Sequence, residues 1–199
     1  MRTVVVLNGE PCDFVFDKSD LIISCDGALR YLESQGVTPD VVLGDFDSLG
    51  YVPDGAIKVD AEKDFTDGEM ALSHAIKSGA DDVVFICAGG LREDHFLGNL
   101  ALLKAAYKKG VTARAETAYC TILYTRSPLT VKTFVGQTVS VVATDGDALI
   151  RWSSGLKYVY RDTILGTDTT LGVSNVATKN EISLDIAKGS VFVILNKSR

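Results

Sequence analysis

The chain of 199 residues is 46% hydrophobic and carries a formal net charge of −6. That length can bury a core as one large or two small domains. The acidic balance argues against nucleic acid or an anionic membrane as partner, since each calls for a basic face, and no apolar stretch approaches the ~18 residues of a membrane span.

From the N-terminus, continuous apolar runs occupy 3–7, 21–25, 41–43, 57–59 and 83–88. Runs that do not alternate belong to strands covered on both faces. Helical patterns over 27–35, 67–78 and 95–109 follow some of these runs, and each stops at a glycine: Gly36, Gly79 or Gly110. Glycine accepts the left-handed conformation that ends a helix. Thr66 and Glu69 have the spacing of a capping box. This rhythm predicts βα units on a mostly parallel sheet.

From about residue 119 the helices vanish. Short β-branched runs follow, TILYT, LTVKTF, TVSVVAT, ALIRW, LKYVY, EISLDI and SVFVIL, separated by VGQ, DGD, SSG, LGT and AKG. The expected fold class is α/β plus all-β: an N-terminal, mostly parallel α/β sheet domain over 1–122, then a C-terminal β-sandwich domain over 123–199. Four cysteines, Cys12, Cys25, Cys87 and Cys120, form no C-x-x-C pair and read as reduced core thiols. The opening MRTVVVLNGE lacks the long apolar segment of a secretion signal, so a cytoplasmic protein is expected.

The polar residues gather where the first-half strands end. The run 21–25 leads into Asp26-Gly27, and 41–43 into Gly44-Asp45-Phe46-Asp47-Ser48. The run 57–59 leads to Asp60, Asp64 and Asp67, and 83–88 to Gly89-Gly90 with Arg92, Asp94 and His95. Taken singly, each fits a turn, a solvated loop or a helix cap. Asp45 and Asp47 do not open a calcium loop, because Leu49 and Ala56 stand where oxygen ligands are needed. Taken together they are harder to dismiss. Two unit charges ~4 Å apart at an effective dielectric of ~20 repel by about 4 kcal/mol. Magnesium, which binds one or two carboxylates together with phosphate oxygens, offsets that repulsion. Asp45 and Asp47 therefore read as magnesium ligands for a polyphosphate. Gly89 and Gly90 allow backbone N–H groups to approach a phosphate, and Arg92 grips it. P-loop, protein-kinase and dinucleotide-binding patterns are absent, and two histidines without paired cysteines argue against zinc.

The segments CDGA (25–28), GDFDS (44–48), KDFTDGEMAL (63–72), GGLREDH (89–95) with Asn99, GLKY (155–158) and GVSN (172–175) resemble the thiamine pyrophosphokinase family. The resemblance spans nearly the whole chain. It implies transfer of the pyrophosphoryl group of ATP to the hydroxyl of thiamine, giving thiamine pyrophosphate and AMP. It also implies a magnesium-dependent homodimer, with an ATP- and magnesium-binding first domain and a thiamine-binding, dimerising second domain. Carried over by residue, Asp26 and Gly27 belong to the nucleotide loop, and Asp45, Asp47 and Asp67 to the metal site. Asp64 and Thr66 contact ATP, as do Gly89, Gly90, Arg92, Asp94 and His95. Asn99, Ser174, Asn175 and Phe192 contact thiamine. Asp26, Asp45, Asp47, Asp67 and Arg92 are the implied catalytic set, with the proton acceptor open among Asp26, Asp47 and Asp67. Glu93 and Tyr158 depart from the family pattern, which more often has an aromatic residue and a tryptophan there. Two other readings stay open: a non-catalytic nucleotide or thiamine sensor, and a related pyrophosphokinase or phosphatase for another heterocyclic alcohol.

Overall fold

The computed structural model describes residues 1–59 and 64–198, so Asp60 lies outside the described residues. The chain forms two compact units, Met1–Ala118 and Tyr119–Arg199.

In the first unit, six strands pair in parallel: β1 (Arg2–Val6), β2 (Leu21–Cys25), β3 (Val41–Gly44), β4 (Ile57–Lys58), β5 (Asp82–Ile86) and β6 (Thr112–Glu116). Their order is β6-β5-β1-β2-β3-β4. Three helices accompany them: α1 (Leu29–Ser34), α2 (Asp67–Lys77) and α3 (Glu93–Lys108). The continuous apolar runs have their expected cause, since adjacent residues such as Val4 and Val5, or Val84 and Phe85, are all fully buried. Each helix is followed by a left-handed glycine, Gly36 (φ 65°), Gly79 (φ 86°) or Gly110 (φ 74°). Thr66 caps α2, its hydroxyl accepting the Glu69 N–H at 3.3 Å. The strand β6 goes unrecognised in the sequence because TARAE carries Arg114 and Glu116; these charges pair with each other at 3.4 Å. The connection after β1 runs towards β2, whereas the one after β5 runs to β6 on the other side. That reversal puts a topological switch point between β1 and β5, at the strands' carboxyl ends.

The second unit is antiparallel. It contains β7 (Cys120–Thr125), β8 (Leu129–Lys132), β9 (Thr138–Ser154), β10 (Arg161–Leu165), β11 (Asn175–Val176) and β12 (Glu181–Asn196). The division between units falls ahead of β7, whereas the expected 122/123 boundary would cut that strand. Two expected turns lie within long strands instead. DGD lies inside β9 and AKG inside β12, and the β9–β12 pairing continues on both sides through register shifts between Asp185 and Ser190. These residues bend the strands without ending them, as bulges do. LKYVY is not a strand; Leu156 makes an isolated bridge to Ala177, and β10 begins just beyond. Alternate residues of β9 and β12, Val139, Val141, Ile150, Ile182, Leu184, Val191 and Val193, join one core with Leu165.

Gly189 marks the tightest point of the β9–β12 bend. It has φ 81°, and a Cβ there would lie 2.3 Å from the Asp147 carbonyl oxygen and 2.7 Å from Ala148 Cα. Gly189→Ala must both strain its backbone and separate the strands, so it should cost at least about 2 kcal/mol in urea unfolding. An unchanged unfolding midpoint would show that this crossing has slack.

Candidate active site

The site begins with a close approach of two strand ends. Asp26 follows β2 in the left-handed conformation (φ 44°), unusual for a residue other than glycine. It can lie beside β3 because position 44 has no side chain: a Cβ at Gly44 would sit 3.0 Å from Asp26 Cβ and 3.1 Å from its Cα. Beyond Gly44 the chain passes through left-handed Phe46 (φ 64°), whose ring is buried with Leu29 and Leu49. Burying Phe46 leaves Asp45 and Asp47, on either side of it, at the surface of the loop.

The result is an acidic cluster. One carboxylate oxygen each from Asp26, Asp45 and Asp47 lies within 4.8 Å of the others; Asp26 is buried, Asp45 half-buried and Asp47 exposed. Asp45 accepts the Asp47 N–H at 3.2 Å, and Asp47 accepts the Ser48 hydroxyl at 3.1 Å. Asp26 Oδ1 is buried and has no hydrogen-bond partner among the described residues. An unsatisfied carboxylate oxygen in an all-oxygen donor set suits a hard divalent cation such as magnesium. Asp67, expected as a third ligand, is not one of the three; it opens α2, half-buried, next to the Thr66 cap, and Asp26 takes its place in the cluster. Asp64 and Thr66 are exposed just before that helix.

A pocket of about 460 Å³ adjoins the cluster, lined by Asn8 and Gly9 after β1, by Gly27, Arg30 and Tyr31, and by Ser48 after β3. Asn8 Nδ2 reaches Ser48 Oγ at 3.5 Å, Arg30 donates to the Leu49 carbonyl at 3.3 Å, and Tyr31 donates to the Cys12 carbonyl at 2.7 Å. Burial pushes the Tyr31 phenol up to about 12, so it stays a neutral donor. Of these wall residues the sequence singles out Gly27 as a site residue and Ser48 only as the end of the GDFDS motif. The available signal was Asn8-Gly9, directly after the first apolar run.

The paired-glycine loop leads into α3. Gly89 is buried and Gly90 exposed. Arg92 forks onto Asp94, Nε to Oδ1 at 3.1 Å and a terminal nitrogen to Oδ2 at 2.6 Å, so the guanidinium is held by a carboxylate here. That hydrogen bond draws the Asp94 carboxyl down to about 2. Glu93, Asp94 and His95 are exposed in the first turn. Asn99 turns back, donating to the Ala88 carbonyl at 2.9 Å and fixing the loop's root.

In the second unit, the Asn175 amide brackets one residue: Oδ1 accepts the Tyr158 N–H at 3.0 Å and Nδ2 donates to the Tyr158 carbonyl at 2.7 Å. Ser174 is left-handed (φ 62°), its N–H held by Ser140 Oγ at 3.0 Å. Exposed Tyr158 and Val159 line a pocket of about 300 Å³ with Tyr160, Leu171, Val173 and Asn175. Phe192 is not part of that lining. Its ring lies on the face opposite Val191 and Val193, tilted against Tyr124 with centroids 5.7 Å apart.

A parallel α/β unit with a carboxylate cluster and a pocket at its strands' carboxyl ends has the form of a metal–nucleotide site. The family model for the thiamin pyrophosphokinase catalytic domain matches residues 12–114. The chain belongs to the thiamin pyrophosphokinase family. It is 30% identical over 128 residues to the thiamine pyrophosphokinase of Bacillus subtilis (strain 168), a match covering 57% of this chain and 60% of that protein. Among solved structures, a thiamine pyrophosphokinase from Bacillus subtilis superimposes with a TM-score of 0.87 at 23% identity, over 100% of both chains. Thiamin pyrophosphokinase from Candida albicans superimposes at 0.79 with 14% identity, over 98% of this chain and 90% of that one. At these identities the superpositions speak for the fold.

The acidic cluster generates a direct expectation. Magnesium should raise the thermal midpoint of the wild type by a few degrees at saturating concentration. Asp45→Asn and Asp47→Asn should lose most of that rise while unfolding normally in EDTA. Scanning fluorimetry over a magnesium series measures both, and an equal rise in all three proteins would remove the cluster from metal binding.

Proposed function

We propose that the chain is a thiamine diphosphokinase, transferring the pyrophosphoryl group of ATP to the hydroxyl of thiamine and releasing AMP. The observation that carries this reading is the cluster of Asp26, Asp45 and Asp47 beside a nucleotide-sized pocket, in a chain of the thiamin pyrophosphokinase family.

The roles follow from the chemistry of each group. Asp26, Asp45 and Asp47 would hold magnesium, with Asp67 near the phosphates. Bound there, the cation neutralises polyphosphate charge and makes the β-phosphorus more electrophilic. The pocket walled by Asn8, Gly27, Arg30 and Tyr31 would take the nucleoside, since about 460 Å³ lies within the usual range for small-molecule sites. The Gly89-Gly90 loop would offer backbone N–H groups to phosphate oxygens, with Asp64, Thr66 and His95 as further ATP contacts. Arg92 exchanges Asp94 for phosphate, keeping a bidentate acceptor throughout. Pyrophosphoryl transfer asks mainly for positioning and charge neutralisation, which these groups supply. An active-site carboxylate accepts the proton of the attacking hydroxyl.

The second unit, read as a two-layered sandwich bent at Gly189, would bind thiamine. Apolar and aromatic walls at Tyr158, Tyr160, Leu171 and Val173 suit a flat heterocycle. Asn175 and Ser174 shape that wall; Phe192, buried against Tyr124 and outside the pocket lining, has little ring face open to a cationic thiazolium. Asn99 acts through the loop root it holds. A cytoplasmic homodimer completes the reading, supported by exposed Tyr158, Val159 and Leu171. Among the described residues, no helix is long and apolar enough to cross a membrane.

The test is incubation with ATP, magnesium and thiamine, followed by nucleotide chromatography. AMP and thiamine pyrophosphate should form in equal amounts, and Asp47→Asn should lose at least about a hundredfold in rate, the scale expected for removing charge stabilisation. Formation of ADP would point to γ-phosphoryl transfer. Binding of ATP and thiamine without turnover would leave a sensor, and turnover of a different heterocyclic alcohol in preference to thiamine would reassign the substrate.

A further inference from the structure

We propose that Cys12 and Cys87 form a reversible disulfide that weakens ligand binding at the pocket beside Asp26. The effect on affinity rests on reading that pocket as the nucleotide site; the bond itself does not. As thiols, the two sulfurs lie 4.0 Å apart, one in the segment after β1 and the other just past β5. A disulfide needs about 2.05 Å between sulfurs, so they must close by roughly 2 Å. The Cys87 N–H donates to Cys12 Sγ at 3.3 Å, and Cys12 Sγ in turn lies 3.8 Å from the Glu116 carbonyl. Cys87 adopts φ 54°, a left-handed conformation that a residue with a Cβ holds only when its surroundings impose it.

Burial limits the oxidant to a small one. Cys12 is 5% exposed and Cys87 1%. Hydrogen peroxide meets that limit, and we assign Cys12, the more exposed of the two residues, as the first to react. The Cys12 thiolate attacks a peroxide oxygen, the O–O bond breaks, and the departing hydroxide takes a proton to leave as water. The Cys87 sulfur, giving up its proton, then attacks the Cys12 sulfenic sulfur; the S–S bond forms, the S–O bond breaks, and a second water leaves. Two thiols lose two electrons in all, and one peroxide becomes two waters. A thiol reductant reverses the step by exchange.

The bond would reach the pocket through contacts already present. The Cys12 carbonyl accepts the Tyr31 hydroxyl at 2.7 Å, and Tyr31 and Pro11 line the pocket. The Glu10 N–H donates to the Gly89 carbonyl at 2.8 Å, so the two loops are already joined beside the sulfurs. Drawing the sulfurs together has to move Pro11 and Tyr31 relative to Gly27 and Ser48.

The full-length protein is treated with hydrogen peroxide and digested without reduction, and the peptides are mapped by mass. Peptides carrying Cys12 and Cys87 should appear joined, and should separate with dithiothreitol. Calorimetry with a non-hydrolysable ATP analogue and magnesium should show at least about tenfold weaker binding after oxidation, ~1.4 kcal/mol, restored by dithiothreitol. Cys87→Ala should keep its affinity under peroxide; should that variant fail to fold, the oxidised and reduced wild type decide the matter alone. No joined peptide, or a joined peptide with unchanged affinity, overturns the proposal. A reduced protein that binds no analogue overturns the nucleotide reading and the effect on affinity with it, and the peptide map tells that failure from failure of the bond.

Discussion

The crowding of three carboxylates at the ends of β2 and β3 is the constraint on which the first unit is arranged. Charges this close repel by several kcal/mol at the dielectric of a partly buried site, and one oxygen of Asp26 is buried with no hydrogen-bond partner among the described residues. The fold nevertheless imposes the arrangement. Asp26 is in a left-handed turn, Gly44 lacks the side chain that would push it away, and the Phe46 ring is anchored below the loop. Strain and repulsion of this kind persist where a ligand relieves them. On the proposed function, that ligand is a divalent cation with a polyphosphate.

The two units meet different demands with different strand patterns. In the first unit the central parallel strands β1, β2 and β5 are buried on both faces, and the loops at their ends supply the cluster, the pocket and the Gly89-Gly90 turn. Antiparallel strands in the second bury one face in a core and keep the other for surface contacts. Phe192 points away from the core that Val191 and Val193 fill, yet it too is buried, against Tyr124. The Asn175 bracket does related work, spending a side-chain amide to fix the Tyr158 backbone and present its ring outward.

Much of this was legible because local chemistry and position coincide. Asp26, Asp45 and Asp47 each come just after an apolar run, so their clustering could be read from a parallel sheet. The pocket wall was not legible, since Arg30 and Tyr31 become neighbours of Asn8 and Ser48 only through folding. Asp67, carried over from a matching motif as a metal ligand, lies outside the group of three, a placement that spacing along the chain does not give. The turn signals DGD and AKG misled because left-handed and glycine residues serve bulges as well as hairpins, and only the partner strand distinguishes them. The charged strand β6 was hidden because its ion pairs remove the apolar pattern by which a strand is recognised.

The most direct test of this account is the stability of Asp26→Asn with and without magnesium, measured by urea unfolding. Neutralising the buried carboxylate at nearly constant volume relieves the repulsion, so in EDTA the variant should be at least as stable as the wild type. With magnesium and an ATP analogue the order should reverse, because only the wild type gains the cation. A variant less stable than the wild type in EDTA, and stabilised just as much by magnesium and the analogue, would contradict the claim that the cluster is held against its own charge for a metal–nucleotide ligand.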